Sequence, residues 1–135
     1  MSPRRGGPAR SARRRATPPI VGLLIDRLAP LGAVTARAMF GGHGLYLDGL
    51  MFGLVWADAA YLKVDDLTRG DYERAGMPPF RPYADRAIAF SYFELPPAAL
   101  REPEALREFA SRAHGAARRA QAKKAERSES RRIRF

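Results

Sequence analysis

Apolar side chains recur at helical spacing close to the start of the chain. The pattern predicts an amphipathic helix, and the side chains on its apolar face are Ile20, Leu23, Leu24, Leu28 and Leu31. Thr17 precedes two prolines, and proline fits the first turn of a helix because its missing N–H has no partner there. Thr17 is therefore the predicted N-cap, and Pro30 and Gly32 mark the end of the helix.

The middle of the chain consists of short apolar runs separated by turn residues. Asp48-Gly49 lies between two such runs, and Asp-Gly in that context is the strongest short-range signal of a β-hairpin. Gly41-Gly42 predicts an earlier turn or bulge, and residues 57–59 predict a later turn. The pattern from residue 34 to residue 64 thus indicates an antiparallel meander of three or four strands.

The second half of the chain returns to helix signals. Asp65 or Asp66 caps a short helix that runs to about Ala75, where Gly76 ends it. A strand rich in aromatic residues is predicted over residues 86–95.

A final helix opens at Pro103, and its pattern continues beyond Gly115 with a polar and basic surface. The element order is therefore α-β-β-β-α-β-β-α-like. This order is typical of a two-layer α+β fold, in which helices cover one face of an antiparallel meander.

Composition narrows the chemistry that the chain can carry. The 135 residues favour one domain and include no cysteine, which excludes disulfides, zinc–thiolate sites and cysteine nucleophiles. Only His43 and His114 supply imidazole, so a multi-histidine metal site is disfavoured and no cofactor is expected. The apolar run from residue 20 is interrupted after six residues by Asp26, too early for a secretory signal. We therefore expect a cytoplasmic protein without a membrane partner.

Positive charge is concentrated at the two ends of the chain. Residues 1–19 carry a net +6, residues 20–111 carry −3 and residues 112–135 carry +7, within a total of +10. This distribution predicts three segments: a disordered arginine-rich arm over residues 1–17, a folded domain over residues 18–115, and a basic helical or disordered tail over residues 116–135.

The basic ends are candidate contacts for nucleic-acid phosphates, which bind cations without sequence preference. The candidate residues are Arg4, Arg5, Arg13, Arg14, Arg15, Arg118, Arg119, Lys123, Lys124, Arg131, Arg132 and Arg134. Arginine-rich ends are equally the default composition of a GC-rich genome, with only weak affinity for polyanions. The sequence leaves both interpretations open.

The segment Gly41-Gly42-His43-Gly44 is the most suggestive short motif. A phosphate-binding loop needs a helix after its glycines, whereas a strand is predicted here, so a tight turn is favoured. To act as a general base, His43 needs a positioned partner. Tyr46 does not serve, because a residue three positions further along the same strand faces the other side of the sheet. A small-ligand site or an active site at this turn is therefore the least favoured hypothesis.

The strands carry many aromatic and methionine side chains: Met39, Phe40, Met51, Phe52, Trp56, Tyr61, Phe90, Tyr92 and Phe93. An open sheet with such residues binds single-stranded bases by stacking in some RNA-binding modules. Basic residues do not alternate with these aromatics along the sequence, and one sheet face must be covered by helices. A hydrophobic core is therefore the favoured role.

Four segments together carry a family resemblance. They are residues 35–46 (TARAMFGGHGLY), residues 48–54 followed by residues 61–65 (DGLMFGL and YLKVD), residues 73–80 (ERAGMPPF) and residues 91–96 (SYFELP). In this order and spacing the chain resembles the TfoX N-terminal domain family over about residues 20–120. His43 departs from the family pattern, because members usually have an aromatic residue after the glycine pair.

The resemblance implies a regulatory role. The family is named for regulators of natural competence for DNA uptake, which act with a cyclic-AMP-dependent transcription activator and carry a second, C-terminal domain. It also implies a two-layer α+β fold like that of dimeric secretion chaperones. We therefore expect a non-enzymatic regulatory or adaptor domain with a protein partner and a possible homodimer, linked to transcription or competence. The alternative is a protein that binds nucleic acid non-specifically through its tails.

Overall fold

The computed structural model of the chain describes residues 17–39, 41–81 and 91–133. Helix α1 spans Pro19–Leu28 and continues as a 3-10 turn over Ala29–Leu31. The further elements are β1 (Thr35–Met39), β2 (Gly42–Leu47), β3 (Leu50–Trp56), β4 (Ala59–Lys63), α2 (Arg69–Arg74), β5 (Tyr92–Glu94), α3 (Pro97–Arg101) and α4 (Pro103–Ile133).

The five strands form one antiparallel sheet in chain order, β1-β2-β3-β4-β5. The predicted α+β meander is therefore confirmed. Leu47 pairs with Leu50 across the β2–β3 turn, where Asp48 and Gly49 have φ angles of 55° and 77°. Both values are positive, as the preferred two-residue hairpin turn requires. The register shifts at Leu45/Tyr46, which leaves an extra residue in β3 as a β-bulge.

All four helices pack on one face of the sheet. The largest fully buried side chains there are Leu24, Leu28, Leu45, Phe52, Val55, Leu62 and Leu106. Tyr72 of α2 reaches the same cluster, and burial raises the pKa of its hydroxyl. The domain is thus built from two layers around this core.

Helix α1 differs in two details from the prediction. Its buried positions are Val21, Leu24 and Leu28, a row at helical spacing, whereas Leu23 is 37% exposed and was wrongly placed on the apolar face. The N-cap residue is Pro18 rather than Thr17, and no side chain caps the helix. A proline in the first turn starts this helix by fixing φ.

The connection from β4 to α2 is organised by Asp65. Its carboxylate accepts a hydrogen bond from the N–H of Leu67 at 3.1 Å, and its own N–H donates to the Thr68 hydroxyl at 3.1 Å. Gly76, with φ of 74°, follows the helix as predicted.

The outer edge of β5 is closed by the segment after α2. The N–H of Phe80 donates to the Tyr92 carbonyl at 2.8 Å, and the N–H of Glu94 donates to the Pro78 carbonyl at 2.9 Å. The predicted strand over residues 86–95 is present as β5, and residues 86–90 lie outside the described ranges.

Helix α4 is a single helix of 31 residues, about 46 Å long at 1.5 Å per residue. It passes through Gly115 without interruption, and Ala116 and Ala117 beyond it are 0% and 6% exposed. The predicted division of the chain at residue 115 therefore does not coincide with an end of the helix or of its packing. From residue 121 to residue 131 the helix is exposed.

Two glycine substitutions test this packing in opposite directions. A Cβ at Gly42 would overlap the backbone carbonyl oxygen of Val55, which cannot move without breaking the sheet, whereas a Cβ at Gly22 of α1 meets nothing within 4 Å. We expect Gly42→Ala to lower the free energy of unfolding by about 1–3 kcal/mol. Gly22→Ala should raise it by about 0.5–1 kcal/mol, since alanine favours a helix interior. Urea denaturation measures both, and an unchanged Gly42→Ala variant contradicts the packing described.

Candidate interaction surfaces

The predicted phosphate-contacting residues fall into two groups. Arg4, Arg5, Arg13, Arg14, Arg15 and Arg134 lie outside the described residues. Arg118, Arg119, Lys123, Lys124, Arg131 and Arg132 all belong to α4. The structure thus brings the described members together on one helix, and their binding to nucleic acid stays a prediction.

Arg119 has a partner within the fold. Its Nε lies 2.6 Å from Oδ2 of Asp65 and its second terminal nitrogen lies 3.2 Å from Oδ1, a two-point ion pair. The hydrogen bonds from Arg119 hold the pKa of the Asp65 carboxyl below its usual range. Two turns earlier on α4, Nη1 of Arg112 lies 2.6 Å from Oδ2 of Asp71. These two pairs hold α4 against α2 and the β4–α2 connection, so Arg119 has a structural role in the fold.

Beyond Arg119 the helix presents a row of cations. Lys123, Arg127 and Arg131 are spaced by four residues and therefore lie on one side of α4, over about 12 Å. Lys124 lies beside this row. The described residues 121–131 are all exposed. We call Lys123, Arg127 and Arg131 the basic row.

By the 100° rotation per residue, Glu129 lies on the other side of the helix, whereas Glu126 is three residues from Lys123 and lies beside the row. The row itself contains no acidic residue. Arg127 was missed by the sequence analysis, although its four-residue spacing from Lys123 was the available signal.

The sheet face opposite the helices carries a second apolar cluster. Leu54, Phe80 and Tyr92 are buried there, and Met51, Trp56 and Tyr61 pack around them, partly exposed. We call these six residues the aromatic face. Within the described part of the chain, no helix contributes to this cluster.

The strand aromatics are therefore divided between the two faces of the sheet. Phe52 and Phe93 belong to the helix side, whereas Trp56 and Tyr92 belong to the other. The ring of Phe80 contacts two other rings of the aromatic face. Its centroid lies 5.6 Å from that of Trp56 and 4.9 Å from that of Tyr61.

Two tyrosine rings of the strands have a cation beside them, although basic residues do not alternate with the aromatics along the sequence. The Arg37 guanidinium lies 4.8 Å from the ring centroid of Tyr46, and the Lys63 ammonium lies 5.2 Å from that of Tyr92. Burial lowers the pKa of Lys63 and raises the pKa of Tyr92 to about 12. Strand pairing creates these contacts, because the partners are distant in sequence.

The glycine-rich segment forms a turn and the start of a strand. Gly41 has φ of 82° in the β1–β2 turn, and Gly42 to Gly44 belong to β2. His43 pairs with Ala38 and Val55, and its buried Nδ1 has no hydrogen-bond partner. A general base needs a group that orients its ring, and here the orienting hydrogen bond is missing.

The second histidine has a structural role. His114 of α4 is 8% exposed and donates from Nε2 to the Leu47 carbonyl at 3.1 Å. Its ring meets the edge of Phe52 at 6.4 Å. Among the described residues, no group of three or more histidine, aspartate or glutamate side chains is placed to hold a metal ion. None of the described helices has the length and apolar character needed to cross a membrane.

The family model of the TfoX N-terminal domain matches residues 26–117. The chain belongs to the TfoX N-terminal domain family. The match begins inside α1 and ends at Ala117, the last buried residue that the structure describes. The basic row therefore lies outside the matched part of this TfoX N-terminal domain protein. A comparison with curated proteins finds no match.

Proposed function

We propose that this TfoX N-terminal domain protein is a non-enzymatic regulatory or adaptor module that binds a protein partner, in a process linked to transcription or DNA-uptake competence. The observation that carries the proposal is the aromatic face. It presents methionine, tryptophan and tyrosine side chains on the side of the sheet that the described helices leave open. The same proposal places the protein in the cytoplasm.

The chemistry of this face fits protein recognition. Tryptophan and tyrosine supply much of the binding energy in protein interfaces, and methionine adapts its shape to irregular surfaces. Arg37 and Lys63 add positive charge at the border of the cluster. A matching partner surface therefore carries apolar residues with carboxylates around them.

The local chemistry at the glycine-rich turn favours binding over catalysis. Nδ1 of His43 is buried without a hydrogen-bond partner, and Gly42 sits against the backbone of Val55. Neither feature orients a reacting group, which any acid–base mechanism requires.

A matched pair of variants tests the adaptor function. Met51→Glu puts a negative charge on the aromatic face, whereas Leu67→Glu changes a side chain that is 70% exposed and lies outside both apolar clusters. Immobilised protein is incubated with nuclease-treated extract of the source organism at high salt. We expect the native chain and Leu67→Glu to retain the same protein, and Met51→Glu to retain at least tenfold less. Circular dichroism confirms that both variants are folded. Equal retention by Met51→Glu contradicts the proposal.

A second candidate function is non-specific binding of nucleic acid through α4. The observation that favours it is the basic row, which places three cations at four-residue spacing on an exposed segment of α4. A row of this kind follows a phosphate backbone and releases counterions when it binds. It gives affinity without choice of sequence.

A salt series tests the second candidate. The triple variant Lys123→Gln, Arg127→Gln, Arg131→Gln removes the row, and the double variant Glu126→Gln, Glu129→Gln is the control that neutralises the two acidic residues of the same segment. Fluorescence anisotropy with random duplex DNA measures the dissociation constant against salt. We expect the salt slope to fall by about 3 in the triple variant, about 0.9 for each lost phosphate contact. The control should bind at least as tightly as the native chain.

An unchanged salt slope in the triple variant contradicts a role for the basic row. If the native chain does not bind DNA, the arginine-rich ends reflect only the base composition of a GC-rich genome. Neither result affects the protein-capture test, because that test uses another surface.

A further inference from the structure

The three lysines of the chain lie in two different environments. Lys123 and Lys124 are exposed on α4. Lys63 is the last residue of β4, is partly buried, and pairs with Tyr92 of β5. The chain therefore offers an internal comparison between one lysine beside the aromatic face and two lysines in solvent.

The Lys63 ammonium lies over an aromatic ring rather than beside an anion. Its nitrogen is 5.2 Å from the ring centroid of Tyr92, which belongs to the aromatic face. None of the ion pairs between described residues includes Lys63. The ring attracts the cation, but packing against it removes part of the water that would otherwise solvate the charge.

The ionisable groups around Lys63 do not supply the missing anion. Tyr92 is a neutral phenol at physiological pH, because burial raises its pKa to about 12. Asp65, two residues further along the chain, already directs both carboxylate oxygens to α4. Glu94 pairs across the sheet with Tyr61 rather than with Lys63. The ammonium is therefore poorly compensated.

These surroundings favour the uncharged amine over the ammonium. Burial has the largest influence on the pKa of Lys63 and lowers it, whereas the charge of Asp65 acts in the opposite direction. Only the uncharged amine has a free electron pair for attack on a carbonyl carbon. Lys63 therefore has more of the nucleophilic form at neutral pH than an ordinary exposed lysine.

We propose that Lys63 is the lysine of this chain that acyl thioesters modify preferentially. The electron pair of Nζ attacks the thioester carbonyl carbon, an N–C amide bond forms, the C–S bond breaks and the thiol leaves, while the surplus proton of the nitrogen passes to water. A thioester fits this place because its reacting group is uncharged, as are the neighbouring rings. Anionic donors such as acyl phosphates are instead attracted to the basic row on α4.

Acylation would change the surface beside Tyr92. It converts the ammonium into a neutral amide and so removes one of the two positive charges at the border of the aromatic face. A partner with carboxylates around its apolar surface would then bind less tightly. This consequence rests on the proposed function, whereas the preferential acylation of Lys63 does not.

Site-resolved acetylation rates test the proposal. The full chain is treated with S-acetyl-N-acetylcysteamine, a small uncharged thioester, over a pH series, and mass spectrometry of its fragments gives the rate at each lysine. Lys123 and Lys124 are the internal controls. The same reaction in urea gives the rates that the unfolded sequence imposes.

We expect Lys63 to be acetylated at least about threefold faster than Lys123 or Lys124 at neutral pH, since a tenfold larger fraction of free amine accompanies each unit by which a pKa falls. Its rate should also reach half of its maximum at a lower pH, and the three rates should become similar in urea. Equal or slower acetylation of Lys63, a midpoint no lower than that of Lys123, or a preference that persists in urea overturns the proposal. These rates involve no partner, so they leave the result of the protein-capture test unaffected.

Discussion

The packing of α4 against β3 and β4 is the contact on which the rest of the structure depends. Leu106, Ala110 and Ala113 are 0%, 0% and 1% exposed along the helix face that meets the sheet. Alanine brings the helix axis close to the strands, where Phe52 and Leu62 fill the space between. The described helices all lie on this side of the sheet, so none of them covers the aromatic face on the other side.

Polar contacts then fix how α4 lies on the sheet. His114 donates to the Leu47 carbonyl beside the β2–β3 turn, Arg112 pairs with Asp71 of α2, and Arg119 pairs with Asp65 in the β4–α2 connection. Exposed ion pairs contribute little energy individually, but these hold the helix at separate points. The basic row, which begins one turn after Arg119, therefore has a defined direction relative to the sheet.

Local signals predicted much of this fold. Asp48-Gly49 identified the hairpin and Gly76 the end of a helix, because each residue has a specific backbone preference. The extent of the folded domain along α4 was harder to predict. The domain was predicted to end at residue 115, yet Ala116 and Ala117 beyond it are buried. Tertiary packing thus tolerates the low helix propensity of Gly115 within the packed part of α4.

The candidate surfaces depended on contacts that sequence patterns do not show. Arg119 was grouped with the phosphate-contacting residues, because its partner Asp65 lies 54 positions away. The faces of the β3 residues could not be predicted from alternation, because the bulge in β3 breaks it. As a result Met51 and Leu54, three residues apart, share the aromatic face.

Helix α4 belongs to the domain as far as Arg119 and continues beyond it as an exposed basic helix. Thermal unfolding of two shortened chains tests this claim most directly. A chain that ends after Gln121 should unfold within about 2 °C of the full chain, because it keeps every residue of α4 that the structure describes as buried. A chain that ends after Gly115 loses Ala116, Ala117 and Arg119, and should unfold at least about 5 °C lower. Equal unfolding temperatures for the two shortened chains would contradict the account.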